Sequence, residues 1–160
     1  MTQLTDVAHE LQYTVRNSIV SLAHKCSGKD KCTNPKCLWK KVQRHKNPIN
    51  NPYKDLCYTS TIALWKLINI YTDSENVDRV KVFQKDGPTG RRHSKGVVQH
   101  FWLEVDGEVF DPSYLQYVIN KTPLPTYEDG RYRPVHKEGL RKPERVEPVV
   151  NESLRVLGFN

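Results

Sequence analysis

The sequence HFWLEVDGEVFDP occupies residues 100–112 and predicts the central β-hairpin of the fold. Two runs of strand-forming residues flank Asp106 and Gly107, and this dipeptide is a strong signal for the two-residue turn that joins antiparallel strands. A turn of this length fixes the register, so that Leu103 is expected opposite Phe110. Because side chains alternate between the faces of a strand, the register also sorts the hairpin residues into two faces.

The two predicted faces of the hairpin differ in chemistry. The apolar face is expected to contact the core and consists of Phe101, Leu103, Val105 and Phe110. The other face consists of His100, Trp102, Glu104, Val109 and Asp111. On it, His100 and Asp111 are diagonal neighbours about 7–8 Å apart, a separation that two side chains can close to a hydrogen bond. A carboxylate so placed would orient an imidazole and stabilise its protonated form; the alternative is a polar outer face on which a histidine and an aspartate meet incidentally.

A helix is predicted over residues 56–71, with Cys57 in its first turn. Apolar or small side chains recur there at intervals of three and four, at Cys57, Thr61, Leu64, Ile68 and Tyr71. Asp55 is the expected N-cap. The backbone N–H groups of a first turn and the positive end of the helix dipole favour a reactive thiolate, and they can also stabilise an oxyanion. The alternative for Cys57 is a small buried core residue.

The order of these three residues resembles the transglutaminase-like branch of the papain-like cysteine enzymes, over roughly residues 50–115. The strand HFWLEV resembles that family's histidine strand, and FDPSY resembles its Asp-Pro segment. The resemblance implies an α+β fold with a transglutaminase-like (papain-like) core, in which N-terminal helices pack on a small antiparallel sheet. One departure is that the family usually has small residues beside its cysteine, whereas Leu56 and Tyr58 flank Cys57 here.

The resemblance also implies roles for the candidate residues. Cys57 would be the nucleophile, His100 the general base and acid, and Asp111 the residue that orients the histidine. Trp102 and Glu104 are candidates to line the substrate groove, with simple packing as the preferred alternative for the tryptophan. The implied activity is that of a cysteine hydrolase or acyl transferase, of protease, deamidase or amidase type. It acts on an amide, ester or thioester carbonyl of a protein or peptide-like substrate through a thioacyl intermediate, without a catalytic cofactor.

Two points of the chemistry stay open at this stage. Nothing in the residues separates hydrolysis from transfer to an amine. His93, in the loop of residues 84–96 between strands expected near 77–84 and 97–105, is an alternative base, although a loop would hold it less firmly than a strand holds His100.

The chain has 160 residues, of which 37% are apolar, and this length and composition predict one domain over residues 1–160. Four segments follow one another in it: an N-terminal amphipathic helix (1–24), a basic cysteine-rich insert (25–47), the catalytic core (50–118) and a proline-rich, extended wrapping tail (119–160). No apolar run approaches the ~18 residues needed to cross a bilayer, and the first residues lack the features of a secretory signal. A cytoplasmic protein with reduced cysteines and no membrane contact is therefore predicted.

The basic insert carries the whole charge excess of the chain. Residues 25–46 contain eight Lys or Arg and one Asp, a net charge of +7, and the other residues balance. A patch of this kind favours nucleic acid or another polyanion, with a solvated loop as the simpler alternative. The insert also contains three cysteines, and with one flanking histidine they make a tetrahedral ligand set for structural zinc. The candidate ligands are Cys26, Cys32, Cys37 and His24, with His45 as the other choice for the fourth position.

Two other classes of function compete with the enzyme. One is a zinc-stabilised basic module that binds nucleic acid or another polyanion on a degenerate enzyme scaffold. The other is an interaction protein that works through its N-terminal helix and its proline-rich tail.

Overall fold

The computed structural model describes residues 3–26, 37–39, 52–53, 56–72, 80–86, 92–93, 96–97, 99–120, 132–134 and 143–159. The fold of these residues is α+β, as predicted. Its helices are α1 (Leu4–Lys25), α2 (Cys57–Tyr71), α3 (Leu115–Asn120) and α4 (Pro143–Val156). Its strands are β1 (Val80–Asp86), β2 (Arg92–His93), β3 (Gly96–Val97), β4 (Gln99–Val105), β5 (Glu108–Phe110) and β6 (Tyr132–Pro134).

Four strands form an antiparallel sheet in the order β5-β4-β1-β6, and β2 pairs with β3 in a separate small hairpin. The predicted hairpin is β4–β5, and its register is confirmed, since Leu103 pairs with Phe110. The turn residues Asp106 and Gly107 have φ values of 48° and 82°. Positive φ at both positions is what a type I′ turn requires, and an Asp-Gly pair supplies it with little strain.

Helix α1 confirms the amphipathic pattern of the N-terminal segment. Its buried apolar residues recur every three or four positions and are Leu4, Ala8, Leu11, Val15, Ile19 and Ala23. At its N-terminus the backbone N–H of Gln3 donates to the Asp6 carboxylate over 3.3 Å, which satisfies one of the donors that a helix leaves unpaired there.

Helix α2 lies at the centre of the described fold. Residues 59–64 are all buried, so the helix is covered on every side over this stretch. It packs against α1 and α4 and also against β4 and β1 of the sheet. The apolar hairpin face contributes Leu103, Val105 and Phe110 to the same buried cluster, which confirms the predicted orientation of that face. A helix so enclosed has its ends positioned by several neighbours at once, and its N-terminus carries Cys57.

Helix α4 differs from the expected extended tail. Residues 143–156 are helical, and Val146, Val149, Val150 and Ser153 form its buried stripe. Pro143 is the first helical residue, where a missing N–H costs nothing, but Pro148 lies in the helix interior. The prolines led to the prediction of an extended tail, although the apolar residues of this segment follow a helical periodicity. Tertiary packing against α1 and α2 outweighs the energetic cost of Pro148 in the helix.

A polar seam joins α1 to α4. The hydroxyl of Ser153 donates to Ser18 over 3.0 Å, and the hydroxyl of Ser21 donates to the Glu152 carboxylate over 2.9 Å. Hydrogen bonds from Arg155 above all, and from Ser21 and Lys25, lower the pKa of Glu152 from 4.5 to about 2, against the opposing effect of burial. Glu152 is therefore ionised in the folded protein at neutral pH.

Among the described residues, no helix combines the length and the apolar character needed to cross a membrane.

Candidate active site

Cys57 is the first residue of α2. The N-cap is Leu56, so the prediction that Asp55 caps the helix is wrong; Asp55 itself lies outside the described residues. Leu56 is fully buried, and its N–H donates to the carbonyl oxygen of Tyr53 over 3.1 Å. Helix α2 thus begins with a buried apolar residue at its N-cap and has no side-chain hydrogen bond there.

The first turn of α2 surrounds a half-buried thiol. The first intrahelical hydrogen bond runs from the N–H of Ser60 to the carbonyl oxygen of Leu56 over 2.8 Å. The N–H groups of residues 57–59 precede this bond and are therefore directed towards the N-terminal end of the helix. The turn, Cys-Tyr-Thr-Ser, carries no acidic side chain that would oppose a negative charge at this end.

One hydrogen bond ties the start of α2 to the start of β4. The buried hydroxyl of Thr61 donates to the carbonyl oxygen of Phe101 over 3.1 Å. The rings of Tyr58 and Phe101 also meet edge to face, with centroids 5.1 Å apart. Cys57 lies one helical turn before Thr61 on the same face, a rise of about 6 Å. The first two turns of α2 therefore lie against β4 at Phe101.

His100 is the residue before Phe101 in β4. Its backbone lies in β4 and pairs with Lys85 of β1, and its side chain lies outside the described part of the chain. The other candidate base, His93, lies in β2, and its side chain is likewise not among those described. His100 is thus the residue directly before Phe101, which both Tyr58 and Thr61 of α2 contact.

Asp111 follows β5 directly and is buried, with 6% of its surface exposed. Its Oδ1 accepts hydrogen bonds from the backbone N–H of Ser113 over 3.2 Å and from the Ser113 hydroxyl over 3.3 Å. The side-chain amide of Gln116 donates in turn to the Ser113 oxygen over 3.1 Å. The carboxylate is therefore held by a second layer of polar contacts.

Helix α1 reaches the same segment through Arg16. Its guanidinium donates to the carbonyl oxygen of Asp111 over 2.9 Å and to that of Pro112 over 3.2 Å. It also lies over the ring of Tyr114, 4.7 Å from the centroid, as in a cation–π contact. Sequence reasoning missed Arg16, Ser113 and Gln116. No signal in the neighbourhood of Arg16 indicates a contact with a segment 95 residues away.

Tyr53 lies beside both parts of the site. Its carbonyl oxygen accepts the hydrogen bond from the Leu56 N–H that precedes α2. Arg16 and Tyr114 are close enough to its side chain to influence the pKa of the phenol. Burial raises the pKa of the Tyr53 phenol, Arg16 opposes this effect and Tyr114 adds to it. The phenol is neutral at physiological pH.

The two residues expected to line a groove have different surroundings. Trp102 is buried, with 2% of its surface exposed, which is what the packing alternative requires. It follows Phe101 in β4 and faces away from the side of the sheet that carries Leu103. Glu104 is only partly buried and lies opposite Val109 of β5.

The candidate zinc ligands are only partly described. Cys26 and Cys37 meet, with their sulfur atoms 3.5 Å apart. His24 lies exposed in the last turn of α1, and no group of three or more His, Cys, Asp or Glu side chains suited to a metal comes together among the described residues. Cys32, His45 and most of the basic insert lie outside that part of the chain.

No protein family model, curated protein or solved structure matches this chain. The chemistry of the site therefore rests on its own residues and their geometry.

Proposed function

We propose that this protein is a cysteine-dependent hydrolase or acyl transferase of the transglutaminase-like type, with Cys57 as the nucleophile. The observation that carries the proposal is the hydrogen bond from Thr61 to Phe101, which holds the start of α2 against the start of β4. A nucleophile at the end of a helix and a histidine on a neighbouring strand are the two parts that thiol catalysis needs within reach of each other. His100 is preferred to His93 as the base, because His100 pairs with Lys85 of β1 in the four-stranded sheet, whereas His93 lies in a two-residue strand of a separate small sheet.

The proposed reaction has two half-reactions. In the first, His100 takes the proton of the Cys57 thiol, and the sulfur attacks the carbonyl carbon of an amide, ester or thioester. A carbon–sulfur bond forms, the tetrahedral intermediate collapses, and the leaving group departs with the proton from His100. In the second, His100 takes a proton from water or an amine that attacks the thioacyl carbon. The acid or new amide is then released, and the thiol is regenerated.

The backbone N–H groups of residues 57–59 are the proposed donors to the oxyanion, since they are directed towards the end of α2 at which the sulfur lies. Asp111 is proposed to orient His100 and to stabilise its protonated form. The burial of Asp111 and its hydrogen bonds from Ser113 support this role, because an orienting carboxylate must keep its position throughout the reaction.

Site-resolved alkylation tests the nucleophile without knowledge of the substrate. At pH 6.5, two units below the ordinary thiol pKa of about 8.5, an unactivated cysteine reacts slowly with iodoacetamide. We expect Cys57 to react at least about tenfold faster than Cys26 and Cys37 at this pH, and His100→Ala to abolish the difference. His9→Ala is the matched control, because His9 lies on α1 and contacts Glu108 instead. Equal, slow labelling of all cysteines in the wild-type protein would refute the proposal.

Turnover gives the second test once a substrate class has been found by screening peptide amides, esters and thioesters. Cys57→Ala and His100→Ala are each expected to abolish turnover while the circular dichroism spectrum stays unchanged. The competing binding module, supported by the net charge of +7 in residues 25–46, predicts that the wild-type protein has no turnover for either substitution to abolish. It requires an unreactive Cys57 and binding to a polyanion that weakens steeply as salt rises.

A further inference from the structure

The thiols of Cys26 and Cys37 form a pair that does not include the proposed catalytic cysteine. The two residues are eleven positions apart in the chain, and their sulfur atoms are 3.5 Å apart. Both side chains are partly buried and pack against the core cluster.

Different parts of the fold hold each member of the pair. Cys26 is the C-cap of α1, and its N–H donates to the carbonyl oxygen of Ala23, a buried residue, over 3.1 Å. Cys37 directly precedes Leu38 and Trp39, which are both buried in the core.

The segment of Leu38 and Trp39 is anchored by polar contacts as well. The indole N–H of Trp39 donates to the carbonyl oxygen of Pro52 over 3.1 Å, and Arg145 of α4 donates to that of Leu38 over 2.6 Å. Core packing and these two hydrogen bonds therefore hold the segment that follows Cys37 in place.

We propose that Cys26 and Cys37 supply two of the four ligands of a tetrahedral divalent metal ion of the zinc class. Two Zn–S bonds of about 2.3 Å to sulfur atoms 3.5 Å apart enclose an angle of about 100° at the metal, close to the tetrahedral value. Linear coordination by two thiolates at the same bond length would need the sulfur atoms about 4.6 Å apart. A disulfide would need them to approach to about 2.05 Å.

Binding would change the charge of the pair and the connection between two parts of the fold. Each thiol loses its proton to the solvent when it coordinates the metal, so metal binding is expected to weaken as pH falls. The metal would join the C-terminal end of α1 to the segment of Leu38 and Trp39. Because the folded protein would bind it more tightly than the unfolded chain does, the metal would also raise the unfolding temperature.

Cobalt titration of the full, reduced, metal-free chain tests this site. We expect one Co²⁺ per chain, a sulfur-to-cobalt charge-transfer absorption, and displacement of the cobalt by Zn²⁺. Cys26→Ser and Cys37→Ser are each expected to weaken binding by more than about 100-fold, since loss of an outer-shell partner alone costs 10–100-fold. Cys57→Ser is the matched control and should bind as the wild-type chain does.

Alkylation protection keeps the test informative if a serine variant folds poorly. In the wild-type chain, stoichiometric Zn²⁺ should protect Cys26 and Cys37 from iodoacetamide and leave the rate at Cys57 unchanged. A reduced chain that binds no cobalt or zinc would overturn the proposal, as would binding that both serine variants retain. A mass loss of about 2 Da with Cys26 joined to Cys37, in a chain that binds no metal once reduced, would assign the pair to a disulfide. None of these results depends on whether Cys57 is a nucleophile.

Discussion

The hydroxyl of Thr61 donates a hydrogen bond of 3.1 Å to the carbonyl oxygen of Phe101. This bond lies at a position of β4 where β5 has already ended and no longer donates to it. If the β4–β5 register continued for two more residues, Pro112 would lie opposite Phe101. Proline has no N–H to donate to the ladder, and β5 ends at Phe110. Helix α2 supplies a donor at this position from the turn that follows Cys57, so the Phe101 carbonyl is satisfied where β5 no longer pairs with β4.

Replacement of Thr61 by valine tests this contact. The change keeps the size of the side chain but leaves the Phe101 carbonyl without its donor, so we expect a loss of about 1–3 kcal/mol in the free energy of unfolding. Alkylation of Cys57 at pH 6.5 should slow as well, because the first turn of α2 would no longer be held. Urea denaturation and site-resolved labelling measure the two effects. Thr14→Val is the control, since that hydroxyl donates only to Glu10 within its own helix; an equal effect of both variants on Cys57 would contradict the positioning role.

Replacement of Arg16 by lysine tests the support of the Asp111 segment. Arginine donates to two carbonyl oxygens at once, whereas lysine keeps the charge and loses the forked geometry. We expect a destabilisation of about 1–2 kcal/mol and a reduction of His100-dependent Cys57 reactivity by about tenfold. Labelling rates measured from pH 5 to pH 9 give the readout. A variant that loses stability but keeps the wild-type labelling profile would show that Arg16 has a structural role only.

The acid sensitivity of the fold should depend on Glu152. Its pKa is lowered from 4.5 to about 2 on folding, so its stabilising effect is complete above pH 4.5 and is lost as the pH falls towards 2. Glu152→Gln should therefore reduce the free energy of unfolding at pH 7 by about 1–3 kcal/mol. The effect stays this small because Arg155 and Lys25 are exposed, so that solvent screens their charges. Urea denaturation at pH 7 and pH 2 checks this. A difference between variant and wild type that stays the same at both pH values would contradict the assignment.

Replacement of Pro148 by alanine distinguishes a helical C-terminal segment from an extended one. In the interior of α4 the change restores a backbone N–H that can donate to the carbonyl oxygen of Glu144 and relieves a steric conflict, so we expect stabilisation by about 1–3 kcal/mol. Pro143→Ala should have little effect, because a proline at the first helical position costs nothing. Thermal unfolding of both variants measures the difference. An unchanged or lower unfolding temperature for Pro148→Ala would argue against the helix.

Local patterns in the sequence were sufficient to predict several elements of this fold. The Asp106-Gly107 turn and the alternation around it predicted the register of β4 and β5, and spacings of three and four predicted α1 and α2. The strands expected near 77–84 and 97–105 appear as β1 and β4: β1 starts three residues and ends two residues later than expected, and β4 starts two residues later and ends at the expected residue. Where local signals conflicted, prediction failed: prolines concealed α4, and a polar residue near the start of α2 was taken for its cap.

The sequence by itself determined the hairpin, the helix that begins at Cys57 and the candidate residues, because turn chemistry and side-chain periodicity act between close neighbours in the chain. Only the tertiary structure decided how these parts meet. The bond from Thr61 to Phe101 spans 40 residues, and that from Arg16 to Asp111 spans 95. Contacts of such length depend on how the buried faces of α1, α2 and the sheet pack together, and no local pattern specifies which donor meets which acceptor once they do.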